Sequence, residues 1–69
     1  MRERDWIVEQ ARRHVAEEEQ RIAEQELRLA ALRSNGATTG AAERILDQFK
    51  CTHRVMLERL ALEEAHAQH

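Results

Sequence analysis

The chain has 69 residues, a formal net charge of −2 and no proline, which allows one small domain near the lower limit for a self-sufficient core. Its acidic and basic residues are interspersed, so the charge gives no general attraction to nucleic acid or to an anionic membrane. Ala, Leu, Glu, Arg and Gln dominate the composition, and because these residues favour helices we expect an all-α protein.

The first predicted element is a long helix over about residues 3–34. Asp5 is the best side chain to cap its first turn. Apolar side chains recur along this helix at steps of three and four residues, which places one stripe against a partner helix with coiled-coil-like packing. We call this stripe, and its counterpart on the second helix, the seam. In the first helix the seam consists of Val8, Ala11, Val15, Ile22, Leu29 and Leu32.

The remaining positions of this helix are mainly polar. Acidic and basic residues alternate at four-residue steps from Glu9 to Arg21, and Glu24 is expected to pair with Arg28. This pattern predicts a solvated face with helix-stabilising pairs. Glu18 and Gln25 interrupt the seam itself. Their expected role is to fix the register and the oligomeric state, at some cost in stability.

A turn over about residues 35–39 follows this helix. Gly36 supplies the left-handed conformation that often ends a helix, and Asn35 tolerates the neighbouring turn. Either Thr38 or Thr39 can cap the next helix. Because a loop this short makes consecutive helices antiparallel neighbours, residues 1–69 should form one helical hairpin.

The second helix is predicted over about residues 40–66. Glu43 lies in its first turn, where the helix dipole favours an acid. The seam continues at steps of three and four residues, interrupted by Glu63. In this helix the seam consists of Ala42, Leu46, Phe49, His53, Met56, Leu60 and Ala67.

Further apolar residues lie outside the seam, and a two-helix hairpin leaves them in water. A globule of 8.1 kDa would bury about 7,000 Å² on folding, and an extended hairpin would bury less. We therefore expect two chains to associate into a homodimeric four-helix bundle. The apolar residues outside the seam are Ala16, Ala23, Leu27 and Ala30 in the first helix and Ile45, Val55, Leu57 and Leu62 in the second.

The turn and the start of the second helix resemble a pattern found in many short, uncharacterised alphaproteobacterial helical-hairpin proteins. Their run is G-x-x-T-x-x-A-E-x-[LI]-L-x-x-F, and residues 14–33 are similar to the stretch that precedes it there. Those proteins often carry Asp where this chain has Thr38. No biochemical activity is assigned to them, so the resemblance implies the hairpin and leaves function open. The matching residues are Gly36, Thr39, Ala42, Glu43, Ile45, Leu46 and Phe49.

His53 lies in the seam between Phe49 and Met56, which predicts a partly buried side chain. An acid such as Glu18 or Glu63 could face it. The functional alternatives are a metal ligand, a pH-sensing interface residue or a phosphoacceptor. Phosphoacceptor histidines of two-component kinases lie on similar hairpins, but an acidic residue and a box ending in proline follow them, and this chain has no proline.

Other reactive side chains lack the partners that chemistry requires. Glu63 and His66 have the Glu-x-x-His spacing of di-iron bundles, which need a second copy and two further inward Glu residues. His66 and His69 could still bind adventitious metal. Cys51 has no His–acid arrangement at catalytic spacing. We therefore expect no catalytic residue, no cofactor and no native metal site.

The same sequence predicts a cytoplasmic protein. A single cysteine fits a reducing compartment. No apolar run approaches the ~20 residues of a membrane span, and the first ten residues lack the apolar segment of a signal peptide.

Trp6 and Leu27 are the candidate residues for binding a partner. Trp6 lies away from the seam, near the end where residues 65–69 return, and tryptophan is enriched in binding hot spots. It could pack against those residues or a second copy, or anchor another protein. We predict a non-catalytic oligomeric helical module that binds itself and an unidentified protein. The alternative is an RNA-binding four-helix bundle of the Rop type, although the arginines here are interleaved with acids.

Overall fold

The computed structural model describes residues 3–67, with side chains from residue 5 to residue 67, so His69 lies outside the described residues. Helix α1 spans Glu3–Ser34 and helix α2 spans Gly40–Ala67. The two helices pack against each other as an antiparallel hairpin, which confirms the predicted all-α two-helix fold. The hairpin measures 52 × 17 × 12 Å. Its radius of gyration of 15.9 Å exceeds the ~11 Å expected of a compact chain of this length.

The start of α1 differs from the prediction. Asp5 was expected to cap the helix, but α1 already includes Glu3, so the cap assignment is wrong. Asp5 instead lies in the first turn of the described helix, where its negative charge is favoured by the helix dipole.

The turn after α1 closes the helix with a Schellman motif. Gly36 has a φ of 70°, the left-handed conformation that its missing Cβ makes accessible. The backbone N–H of Ala37 donates to the carbonyl of Leu32 at 3.0 Å, and that of Gly36 donates to the carbonyl of Arg33 at 3.1 Å. These two bonds satisfy carbonyl groups that the helix end would otherwise leave without partners. The chain reverses immediately afterwards.

Thr39, rather than Thr38, directly precedes α2. Its carbonyl accepts from the backbone N–H of Glu43 at 2.9 Å, and its hydroxyl lies 3.2 Å from Oε1 of the Glu43 carboxylate. The same carboxylate oxygen accepts from Nη2 of Arg33 at 3.0 Å. Glu43 therefore connects the last turn of α1 to the first turn of α2 and holds the two helix ends together.

The core lies along the seam and is concentrated near the turn. Leu29, Ala42 and Leu46 form one buried cluster, against which Ile22 and Leu32 pack. Val8 and Val15 are also buried, nearer the start of α1. The seam of α2 is buried near the turn and only half-buried from Phe49 onwards, so on this helix the packing is tightest near the turn. The half-buried seam residues outside the cluster are Ala11, Phe49, His53, Met56, Leu60 and Ala67.

The first prediction tests the assignment of the seam. Leu46→Ala should lower the free energy of unfolding by ~2–5 kcal/mol, because it removes a buried side chain from the cluster. Glu17→Ala, an exposed control, should change it by no more than about 0.5 kcal/mol. Urea unfolding at one fixed protein concentration measures the free energy of unfolding of both variants. A larger loss for Glu17→Ala would show that the faces of α1 are assigned wrongly.

The second prediction tests the turn. Gly36→Ala should destabilise the hairpin by about 1–2 kcal/mol, because an alanine must adopt a left-handed conformation there. An added Cβ at Gly36 meets nothing within 4 Å, so the loss would be conformational rather than steric. Gly40→Ala is the matched control. Gly40 is helical, and its added Cβ would lie 3.6 Å from the Arg44 side chain, so this variant should be neutral or stabilising. Equal losses in the two variants would contradict the role given to Gly36.

Candidate functional site

A groove lies between the two helices at the end of the hairpin opposite the turn. Its volume is about 510 Å³. The residues that line it are Trp6, Ile7, Gln10, Ala11 and His14 from α1 and Met56, Arg59 and Glu63 from α2.

The groove follows from the positions of these residues relative to the seam. Ala11 and Met56 are seam residues and form its floor, and Ala11 contributes only a methyl group to fill the space there. Ile7 and His14 are one heptad apart on α1, so they flank the seam on the same side. Arg59 forms the facing wall on α2. The groove is therefore the space left beside the small side chain of Ala11.

Large apolar side chains surround this groove. Trp6 is 55% exposed. Val55 and Leu62 lie one helical turn before and after Arg59, and they are 63% and 62% exposed. We call the groove together with Val55 and Leu62 the groove face. It combines a concave apolar floor with projecting apolar side chains, which is typical of an interaction surface.

Leu27, the second candidate for partner binding, lies far from the groove. It is 73% exposed and lies 21 residues, or three heptads, after Trp6, on the same side of α1 but about 30 Å further along the helix. Ala23 and Ala30, its neighbours on α1, are exposed as well. The structure therefore does not bring Trp6 and Leu27 into one site.

The opposite flank of the seam is charged. Two ion pairs and one His–Glu contact between described residues join α1 to α2, and their α1 members are separated by multiples of seven residues, so all three lie on one flank. Ile7 and His14 lie on the other flank, across the seam from these contacts. The ion pairs are Arg12 Nη2–Glu64 Oε2 at 2.8 Å and Arg33 Nη2–Glu43 Oε1 at 3.0 Å, and the third contact is His53 Nε2–Glu19 Oε2 at 3.4 Å.

His53 is half-buried, and the acid closest to it is neither Glu18 nor Glu63. Its Nε2 lies 3.4 Å from a carboxylate oxygen of Glu19, which projects from α1. The contact has the distance of an ion pair but not the geometry of a hydrogen bond, since Nε2 has no hydrogen-bond partner. It becomes an ion pair only when the imidazole is protonated. His53 thus contributes to the charged flank.

Glu18 is an acid buried in the seam, with 2% of its surface exposed. Arg21 donates from Nη1 to its Oε2 at 3.2 Å, whereas its Oε1 is buried without a hydrogen-bond partner. Arg21 thus pairs with the buried carboxylate three residues before it rather than with Glu17, four residues before it. Glu24, which was expected to pair with Arg28, instead accepts from Nε2 of Gln20 at 3.3 Å. Gln25 is better accommodated, since its Nε2 donates to the carbonyl of Ala42 at 3.1 Å.

The remaining reactive side chains are dispersed. Cys51 is an exposed free thiol. Glu64 of the predicted Glu-x-x-His region pairs with Arg12. Within the residues that the structure describes, no cluster of three or more His, Cys, Asp or Glu side chains could hold a metal ion. None of the helical segments in residues 3–67 has the length and apolar character needed to cross a membrane.

Several groove residues were not identified from the sequence. Ile7, Gln10, His14 and Arg59 all lie beside the seam rather than on it. The signal that could have found them is the apolar pair Trp6–Ile7, which interrupts an otherwise charged start of α1. Positions that flank a seam at steps of seven residues could then have been searched on both helices.

Comparison of the chain with protein-family models, with curated proteins and with solved structures gives no match. The resemblance to short alphaproteobacterial hairpin proteins therefore stays a prediction. The interpretation of the groove face depends on the geometry of the chain itself.

The third prediction concerns the buried acid. Glu18→Leu should raise the free energy of unfolding by about 1 kcal/mol or more, because it replaces a buried carboxylate oxygen without a partner by apolar surface. Gln25→Leu is the comparison variant and should gain less or lose stability, since Gln25 has a hydrogen-bond partner. Urea unfolding of both variants at equal concentration measures the difference. Destabilisation by Glu18→Leu alone would show that this carboxylate stabilises the hairpin.

Proposed function

We propose that this chain is a non-catalytic helical module that acts through protein–protein contacts, and that its first partner is a second copy of itself. The observation that carries the proposal is the exposed surface of the single hairpin. It exposes 5460 Å², whereas a compact globular protein of 8.1 kDa exposes about 4,500 Å². The excess, about 1,000 Å², exceeds the ~800 Å² that one partner buries in a standard interface.

Association of two hairpins removes this excess. A compact protein of twice the mass would expose about 7,500 Å², so joining two hairpins would bury about 3,500 Å² in total. This area falls within the ~2,000–5,000 Å² of obligate homodimers. Packing two flat hairpins face to face gives a four-helix bundle, the simplest closed arrangement.

A dimer of this kind leaves surface for a different protein. Leu27 and its exposed alanine neighbours Ala23 and Ala30 lie on α1 far from the groove and form a candidate surface for that partner. The exposed thiol of Cys51 suits a reducing compartment, and we therefore propose the cytoplasm as the location.

The fourth prediction tests self-association. Light scattering at micromolar concentration should give about twice the chain mass of 8.1 kDa, because the isolated hairpin buries too little surface. The midpoint of thermal unfolding should also rise with protein concentration, as mass action requires of a dimer. A chain that keeps the monomer mass and a concentration-independent midpoint would contradict the proposal.

A further inference from the structure

We infer that the groove face is the surface on which the second copy docks. The inference depends on the proposed self-association and adds to it the surface that is buried.

The two flanks differ in what their burial would cost. On the charged flank, Arg12 and Arg33 hold acids of α2 in ion pairs whose side chains remain in contact with water. Covering those pairs would remove their hydration, and the desolvation of charges can exceed the energy gained from their attraction. On the groove face, Trp6, Val55 and Leu62 expose apolar surface, whose removal from water is favourable. Burial is therefore favourable on the groove face, whereas nearer the turn the same flank of α1 carries charged residues such as Arg21.

The shape of the groove face is suited to a copy of itself. Each hairpin carries a concave apolar groove with Val55 and Leu62 projecting beside it. In a two-fold dimer the same patch meets itself, so that the projecting residues of each copy can enter the groove of the other. A surface that carries both a groove and side chains to fill it can therefore pack against a copy of itself.

The charges on the groove face are compatible with the same arrangement. Arg59 and Glu63 are one helical turn apart on α2, and both line the groove. A two-fold axis between them would place Arg59 opposite Glu63 of the partner subunit, and Glu63 opposite Arg59 of the partner subunit. The dimer would then contain two Arg–Glu pairs across its interface. An unrelated partner would have to supply both charges at this spacing.

The area requirement also favours a second copy. The single hairpin exposes about 1,000 Å² more than a compact protein of its mass. A second copy has the same excess, so each hairpin can cover surface of the other. A short peptide seated only in the groove would leave most of the excess exposed.

The fifth prediction tests this surface with the intact chain. Trp6 is the single tryptophan and lines the groove, so its fluorescence reports on the groove face alone. Its emission should shift to shorter wavelength as the concentration of the wild-type chain rises, in step with the increase in mass measured by light scattering. A rise in mass with no change in Trp6 emission would place the dimer interface elsewhere.

Two matched Leu→Glu variants complete the test. Leu62→Glu should raise the dissociation constant of the dimer at least about tenfold, because it places a charge in the buried interface. Leu27→Glu makes the same change at a more exposed leucine outside the groove face and should alter the constant by no more than about twofold. Circular dichroism checks that both remain helical, and Val55→Glu replaces Leu62→Glu if that variant unfolds.

The results of these experiments distinguish a failure of this inference from a failure of the proposed function. Dissociation by Leu62→Glu but not by Leu27→Glu supports the groove face. A dimer that Leu27→Glu dissociates and Leu62→Glu leaves intact would overturn this inference, move the interface to the part of α1 around Leu27 and leave the proposed self-association standing. A wild-type chain that stays monomeric would contradict the proposed function itself.

Discussion

Two helices share a single interface, so every side chain that this chain buries has to lie along one line. In a larger protein a helix can bury several faces against several neighbours. Here each helix has one neighbour, and the seam has to supply the whole core. Its best-packed part is the cluster of Leu29, Ala42 and Leu46, which depends on the turn at Gly36 to bring the two helices together at the correct register.

The polar contacts near the turn reinforce this register. Gln25 bonds the backbone of α2 at Ala42, and Glu43 accepts from Arg33 across the helix ends. Towards the other end the seam contains the small residue Ala11, and a groove opens beside it. Contacts near the turn thus fix the register of the two helices, whereas packing is incomplete at the opposite end. The proposed binding surface lies at that incomplete end.

The features that could be predicted from the sequence depend on local chemistry. The steps of three and four residues identified the seam, and Gly36 identified the turn because only a residue without a Cβ adopts its conformation easily. The features that could not be predicted depend on which long side chain reaches which partner. Arg21 pairs with Glu18 rather than Glu17 within α1, where Glu18 is buried. His53 faces Glu19 of the other helix, and this contact is set by the rotation of one helix against the other. The groove was missed for the same reason, since it lies between residues such as Ile7 and Arg59 on different helices.

The gradient of packing along the hairpin has a consequence for how the chain folds. The reversal at residues 35–39 closes a short loop, which costs little chain entropy, so the contacts nearest to it are the first that can form. Helix pairing can then extend in one direction, away from the loop, in the manner of a zipper. Amide protons in the last-formed turns would exchange with solvent through local opening, while those beside the loop would exchange only when the whole chain unfolds. Because Trp6 lies in those last-formed turns, docking of a second chain there would complete the folding of each subunit.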